Sequence, residues 1–219
     1  MIITIDGLGG TGKSSQSKLL AKELGFTYFN TGSLYRYLTL KLILDNVQFE
    51  DPAVLKAYLD QFEFKFDDSG KLVLDAGLTE KDLGTMEVSV YSATVAAVPD
   101  VKARVVAEQR KFGNSHNTIM EGRDIGSVIF PNADLKFFLD ATPETRARRV
   151  FLQGRDNLPY EEILAGILER DQVEKEKKTF VPPQNAIKID TDNLSFEEVA
   201  KILLEKSLQK MQELGISKI

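Results

Sequence analysis

Eight consecutive residues, Gly7, Leu8, Gly9, Gly10, Thr11, Gly12, Lys13 and Ser14, fit the pattern G-x-x-x-x-G-K-[ST]. A β-branched run of Ile2, Ile3, Thr4 and Ile5, closed by Asp6, comes directly before them, and residues 15–24 with apolar Leu19, Leu20 and Leu24 come directly after. Strand, glycine turn and helix in that order are the setting in which this pattern cradles phosphate. The glycines let successive N–H groups curl round the oxygens, and the positive end of the helix points at the same anion. Lys13 adds a charge for a transferring phosphoryl group, the Ser14 hydroxyl is an expected Mg²⁺ ligand, and Asp6 is a plausible support behind it. The residues expected to hold the phosphates of a nucleoside triphosphate are therefore these eight together with Ser15.

The remaining pattern agrees with a strand-loop-helix start. Short apolar strand candidates recur at residues 27–29, 118–120, 135–139 and 186–189, separated by helical or mixed sequence. Such alternation predicts an α/β fold of three layers, a central parallel five-stranded sheet with helices on both faces. Residues 195–214 close the chain as a helix opened by a Ser-x-x-Glu capping box at Ser195 and Glu198. Two stretches interrupt the alternation and read as insertions over one end of a single domain spanning residues 1–219. Residues 38–113 contain a hairpin pattern, 62–66 and 71–74 about a turn of Asp67, Asp68, Ser69 and Gly70. Residues 153–183 open with Gly154, Arg155, Asp156 and Asn157 and continue as a charged helix ending in Lys175, Lys177 and Lys178, which suits a mobile lid.

Composition narrows the chemistry. The 219 residues include no cysteine and one histidine, His116, so thiolate nucleophiles, cysteine-ligated metals and sites built on two histidines are excluded. His116 itself reads as an exposed loop residue. Carboxylates, hydroxyls, Lys, Arg and backbone amides remain, and these suit charge-stabilised transfer of a phosphoryl group to an acceptor that is already an anion. A formal net charge of −5 argues against nucleic acid as a partner. No apolar run is long enough to cross a bilayer, and the first residues carry no basic or apolar leader pattern, so a cytoplasmic protein with no membrane partner is expected.

P-loops also serve switches, motors and transporters, so the acceptor decides the reading. Three cation-bearing clusters bear on it. Asn30, Thr31, Gly32, Ser33, Leu34, Tyr35 and Arg36 follow the second strand candidate as a turn, and Glu121, Gly122, Arg123, Asp124, Ile125 and Gly126 follow the third. Arg170, Glu174 and Lys177 have the spacing of one helix face. Each alone also reads as a cap, a turn or a solvated charged surface.

Taken with the P-loop, the order of these clusters resembles the bacterial cytidylate kinases of the nucleoside monophosphate kinase group. The likeness runs through residues 5–14, N-T-G-S-L-Y-R at 30–36 (the family usually begins it with Asp), V-A-A-V-P-D-V-K at 95–102, Gln109-Arg110, E-G-R-D-I-G at 121–126, F-P-N-A-D at 130–134, Arg170-Asp171 and I-D-T at 189–191. It implies transfer of the ATP γ-phosphoryl, with Mg²⁺, to CMP or dCMP, and an enlarged monophosphate-binding insertion and a lid. Lys13, Arg123 and Arg170 would then be catalytic, and Thr31, Tyr35, Arg36, Lys102, Arg123, Asp124, Arg170, Glu174 and Lys177 would bind the acceptor. Arg148 or Arg149 would border the adenine, and a monomer is expected. Two departures touch base reading: the family's serine and arginine are Ala93 and Lys102 here, with Ser92 and Arg104 near enough in sequence to compensate. Thymidylate kinase shares the opening but needs Asp-Arg-aromatic after the third strand, and a regulatory nucleotide-binding protein remains a second alternative.

Overall fold

The computed structural model describes residues 1–67, 70–154, 158–178 and 180–217. Asp68 and Ser69 of the expected hairpin turn, and Arg155, Asp156 and Asn157 at the start of the expected lid, lie outside the described residues.

The strand after Met1 is β1 (Ile2–Asp6), and it is the middle of the sheet. It pairs in parallel with β5 (Thr118–Gly122) on one side and β6 (Leu135–Asp140) on the other. The outer strands are β2 (Thr27–Asn30), beside β5, and β7 (Ile187–Asp190), beside β6, also parallel. The order β2-β5-β1-β6-β7 is the five-stranded parallel sheet expected. Side chains alternate between its faces, as strand geometry requires. Ile3, Ile5, Ile119, Phe137, Leu139 and Ile189 pack with Leu20 and Leu24 of α1 (Lys13–Leu24) and Val199 and Leu203 of α9 (Phe196–Glu213). Each of these buried aliphatic chains contributes roughly 1.5–3 kcal/mol by leaving water. Helix α9 starts where expected, with Ser195 N–H donating to Glu198 Oε2 at 2.7 Å and Glu198 N–H to Ser195 Oγ at 3.1 Å.

Phe29 and Met120 face the other side and join a core built largely by the first insertion. Its elements are α2 (Thr31–Leu44), α3 (Pro52–Gln61), the short strands β3 (Lys65–Phe66) and β4 (Leu72–Val73), α4 (Glu80–Gly84), α5 (Met86–Val95) and α6 (Pro99–Gly113). The hairpin is real but shorter than its apolar pattern suggests. Phe62 caps α3, donating its N–H to Tyr58 O at 3.0 Å, and its ring packs against Tyr37, Tyr58 and Phe64 rather than joining a strand. Residues 30–36 also differ from expectation: helix α2 starts at once, because Asn30 Oδ1 accepts from Ser33 N–H at 3.1 Å and caps it.

Between β6 and β7 lie α7 (Pro143–Leu152) and α8 (Tyr160–Glu176), the second of which falls within the second insertion. Gly166 of α8 comes so close to Met86 of α5 that a Cβ there would stand 2.9 Å from Met86 Sδ, so the two insertions meet over the strand ends. Among the described residues no helix is long and apolar enough to cross a membrane.

One feature near the sheet has no counterpart in the sequence reading. After β5 the chain makes a single wide helical turn, Ile125–Ile129, anchored by Asp6, whose Oδ1 and Oδ2 accept from the N–H groups of Ile125 (2.7 Å) and Gly126 (2.8 Å). A Cβ on residue 126 would lie 2.6 Å from Thr4 Oγ1 and 3.1 Å from Asp6 Oδ2. Gly126→Ala is therefore expected to destabilise by about 1–3 kcal/mol. At about 2–4 °C per kcal/mol for a chain of this size, a thermal melt should fall by several degrees; an unchanged midpoint would mean the turn yields freely to a methyl group.

Candidate active site

A cleft of about 530 Å³ opens along the C-terminal ends of the strands, where parallel α/β sheets receive their ligands. Its floor is the loop from β1 to α1. Gly7 has φ 150°, and a Cβ there would meet Leu139 O at 2.2 Å, so only glycine lets the loop leave the sheet at this angle. Gly9, Gly10, Thr11, Gly12, Lys13, Ser14 and Ser15 line the cleft, whereas Gly7 and Leu8 act from beneath. Leu8 does so through its carbonyl, which accepts from Lys13 Nζ at 2.6 Å, with Thr11 Oγ1 at 3.4 Å. Burial, then the neighbouring Arg123, push the Lys13 ammonium well below its ordinary pKa, while Glu121 and Glu174 pull it back up. An anion held in the loop would favour the charged form.

Ser14 Oγ donates to Glu121 Oε2 at 3.0 Å, and Tyr28 OH holds the other oxygen of that carboxylate. Burial, followed by Glu121, pushes the Tyr28 phenol up, so it stays a donor. A hydroxyl facing a buried carboxylate is a hard-oxygen donor set that fits Mg²⁺, which usually takes one or two protein oxygens and completes its shell with phosphate and water. Glu121 was not singled out for this from sequence, although it opens the E-G-R-D-I-G run. Asp6, expected behind Ser14, is instead turned to the amides of Ile125 and Gly126; burial raises its carboxyl to about 6 against those two bonds.

Above the loop lies the densest charge cluster. Arg123, at the end of β5, donates from Nη1 to Gly7 O at 3.0 Å and from Nε to Glu174 Oε2 at 2.9 Å. Arg170 of α8 donates from Nε to the other oxygen of Glu174 at 2.8 Å and from Nη1 to Ser89 Oγ of α5. Burial opposes ionisation of Glu174, but Arg123 and then Arg170 outweigh it and hold the carboxyl down to about 2. Both guanidiniums reach the phosphate loop: a Cβ on Gly9 would lie 3.4 Å from Arg123 Nη2 and 3.8 Å from Arg170 Nη1.

To one side of this cluster lie Thr31, Tyr35, Arg36, Lys102 and Asp124. Thr31 Oγ1 donates to Glu121 O at 2.6 Å, and Lys102 Nζ pairs with Asp124 Oδ2 at 2.8 Å. Burial, then Asp124, raise the Tyr35 phenol. Ser92 lines the same side but spends its hydroxyl hydrogen on Ser89 O, and Arg104 turns away to Glu108 and Phe62 O. Ala93 is buried beside them.

To the other side lie Arg149, Val150, Leu152, Leu194, Phe196 and Val199. Arg149 donates to Thr191 Oγ1 at 2.9 Å, whereas Arg148 is exposed and outside the lining. Lys177 also falls outside it. Helix α8 ends at Glu176, and Lys177 sits exposed on its cap, so the face shared by Arg170 and Glu174 stops one turn short. Arg146, fully buried and not singled out from sequence, ties α8 to the loop by donating to Gly9 O and Ala141 O and pairing with Asp171. The R-A-R-R run at 146–149 was its only signal.

A phosphate loop, a hard-cation corner and buried arginines between two open arms define the site of a P-loop phosphotransferase that takes a ligand on each side. The profile of the cytidylate kinase family matches residues 3–209. Cytidylate kinases of Caldanaerobacter subterraneus and Flavobacterium johnsoniae are each 38% identical, over 93% of this chain in both cases and over 92% and 94% of their own lengths. The chain belongs to the cytidylate kinase family. Among solved structures, an uncharacterized protein of Eubacterium ventriosum shares the fold at 13% identity, with a TM-score of 0.53 over 94% of this chain and 97% of its own.

The Glu174 pairing has a signed pH consequence. Its folded carboxyl is depressed from 4.5 to about 2, so the stability it adds is present above the unfolded value and lost as pH falls through the folded one. Glu174→Gln should therefore lower the melting temperature clearly at pH 7 and by less than half as much at pH 3.

Proposed function

We propose that the protein transfers the γ-phosphoryl group of ATP to CMP or dCMP, giving ADP and CDP or dCDP. The observation that carries this reading is the placement of Arg123 and Arg170 over Gly9, between an arm lined by Arg36, Lys102 and Asp124 and an opposite, more apolar arm. In-line transfer needs donor and acceptor on opposite sides of the moving group, with cations at its equatorial oxygens.

In this reading the loop amides and Lys13 hold the donor β- and γ-phosphates, and Arg36 with Arg123 holds the acceptor phosphate. Arg123 and Arg170 then neutralise charge on the transferring group. The acceptor oxygen is already ionised, so no general base is needed, in keeping with the absence of histidine from the cleft. Ser14 and Glu121 would hold Mg²⁺, which when bound neutralises charge on the donor phosphates. Glu174 braces the two arginines, cancelling the repulsion between guanidiniums that share one small space. Thr31 and Tyr35 line the acceptor pocket, and Lys102 and Asp124, as an ion pair, present the polar edge that meets the acceptor base. Lys177 approaches the acceptor only if the lid helix shifts. We infer a monomer working in the cytoplasm.

Three experiments test this. Across CMP, dCMP, UMP, AMP and dTMP with ATP and Mg²⁺, coupled assay of ADP release should be fastest for CMP or dCMP; robust turnover of another acceptor with neither of these would overturn the assignment. Lys13→Met should cost at least about 10²–10³ in kcat, the usual loss on removing one preorganised charge donor; an unchanged kcat would exclude the loop from the chemistry. Lysine offers Asp124 and the base a point charge where arginine offers a planar fork. Lys102→Arg should accordingly widen the ratio of kcat/KM for CMP over UMP.

A further inference from the structure

The apolar arm of the cleft contains a polar group with no hydrogen-bond partner among the described residues. Gln16 lies in α1, one turn beyond Lys13, and is 3% exposed. Its Nε2 donates to the carbonyl oxygen of Phe196, at the start of α9, at 2.8 Å. A carbonyl oxygen only accepts, so this bond fixes which end of the amide is nitrogen. The other end, Oε1, is buried and has no hydrogen-bond partner. Buried acceptors are nearly always paired, and an amide oxygen shut away from both water and donors is costly. Gln16 lines the cleft along with Leu194, Phe196 and Val199, with Val150 and Leu152 also in the lining.

The transferring group sits at Gly9 and Lys13, with the arm of Arg36, Lys102 and Asp124 reserved for the acceptor, so the donor nucleoside enters the Gln16 arm. Apolar side chains there cover the faces of a planar base but discriminate poorly among bases. Discrimination comes from the edge, and the available group is an acceptor. Adenine offers an exocyclic amino N–H as donor. Guanine carries a carbonyl oxygen at the same ring position, which would set acceptor against acceptor. We infer that Gln16 is a donor-base specificity residue: when the nucleotide binds, its amide turns so that Oε1 faces the cleft, accepts from the exocyclic amino group of the ATP adenine and selects ATP over GTP. The inference rests on the proposed reading of ATP as donor. A site that hydrogen-bonds a substrate group rejects the analogue lacking it, because its own buried group is then left unpaired. Nε2 does a different job, tying the start of α9 to α1.

Binding without acceptor tests this separately from turnover. Calorimetric titration with ATP, with purine riboside triphosphate (ATP without its amino group) and with GTP should show wild-type protein binding ATP at least about tenfold more tightly than either. Gln16→Met keeps the length of the side chain and removes the acceptor. It should weaken ATP, leave purine riboside triphosphate nearly unchanged, and bring their ratio close to one. A purely structural role through the Phe196 bond would weaken both equally and keep the ratio, which would overturn the inference. Wild-type protein that binds ATP and purine riboside triphosphate alike would overturn it with no variant at all, so the result does not depend on the variant folding. Failure to phosphorylate CMP, measured in the acceptor panel, would instead strike the proposed reaction and leave the binding ratio to be read on its own.

Discussion

Two arginines cannot share a water-poor space beside a lysine unless something negative lies between them, and in this protein that something is Glu174. One carboxylate takes the Nε of Arg123 at 2.9 Å and of Arg170 at 2.8 Å. The three groups come from the end of β5 and from α8, so the same contact that settles the electrostatics also joins α8 to the sheet. Removing one member of such a buried cluster leaves uncompensated charge and costs far more than the cluster contributes over an apolar substitute. Arg146 with Asp171 makes a second tie to α8, this one from α7. Bracing the arginines by their Nε edges leaves their outer ends turned to the loop at Gly9, ready for an anion.

The fold delivers these groups through a small number of constraints. Parallel pairing puts the ends of β1, β2 and β5 at one edge, so the phosphate loop, the cap at Asn30 and the Glu121–Asp124 run emerge together. Asp6 does its work one layer down. Its carboxylate holds the turn at Ile125–Ile129 by two backbone bonds and thereby fixes the path of the chain that carries Arg123 and Asp124.

Much of this was legible in the chain. The five strands, the capping box of α9 and the loop follow from local pattern, because apolar period, glycine spacing and cap chemistry are local properties, whereas Arg36, Arg123, Arg170 and Glu174 stand out only through the resemblance to the family. What the sequence could not convey depends on contacts distant in the chain. Glu121 reaches Ser14 across 107 positions and Arg123 reaches Glu174 across 51, and no spacing rule announces either. The hairpin was overdrawn because Phe62 and Phe64 alternate like a strand but pack as an aromatic cluster with Tyr37 and Tyr58. Lys177 was placed on the working face because helical spacing continues indefinitely on paper, whereas α8 ends at Glu176. Of the run 146–149, only the fold distinguishes the buried Arg146 and tethered Arg149 from the exposed Arg148.

The proposed transfer requires one cleft to hold donor and acceptor at once, on opposite sides of the arginine pair. A bisubstrate ligand, adenosine and cytidine joined through five phosphates, measures it most directly. In steady-state inhibition it should compete with both ATP and CMP and bind with one molecule per chain. Competition with only one of the two, or two molecules bound per chain, would contradict a single cleft shared across the Glu174-braced arginines.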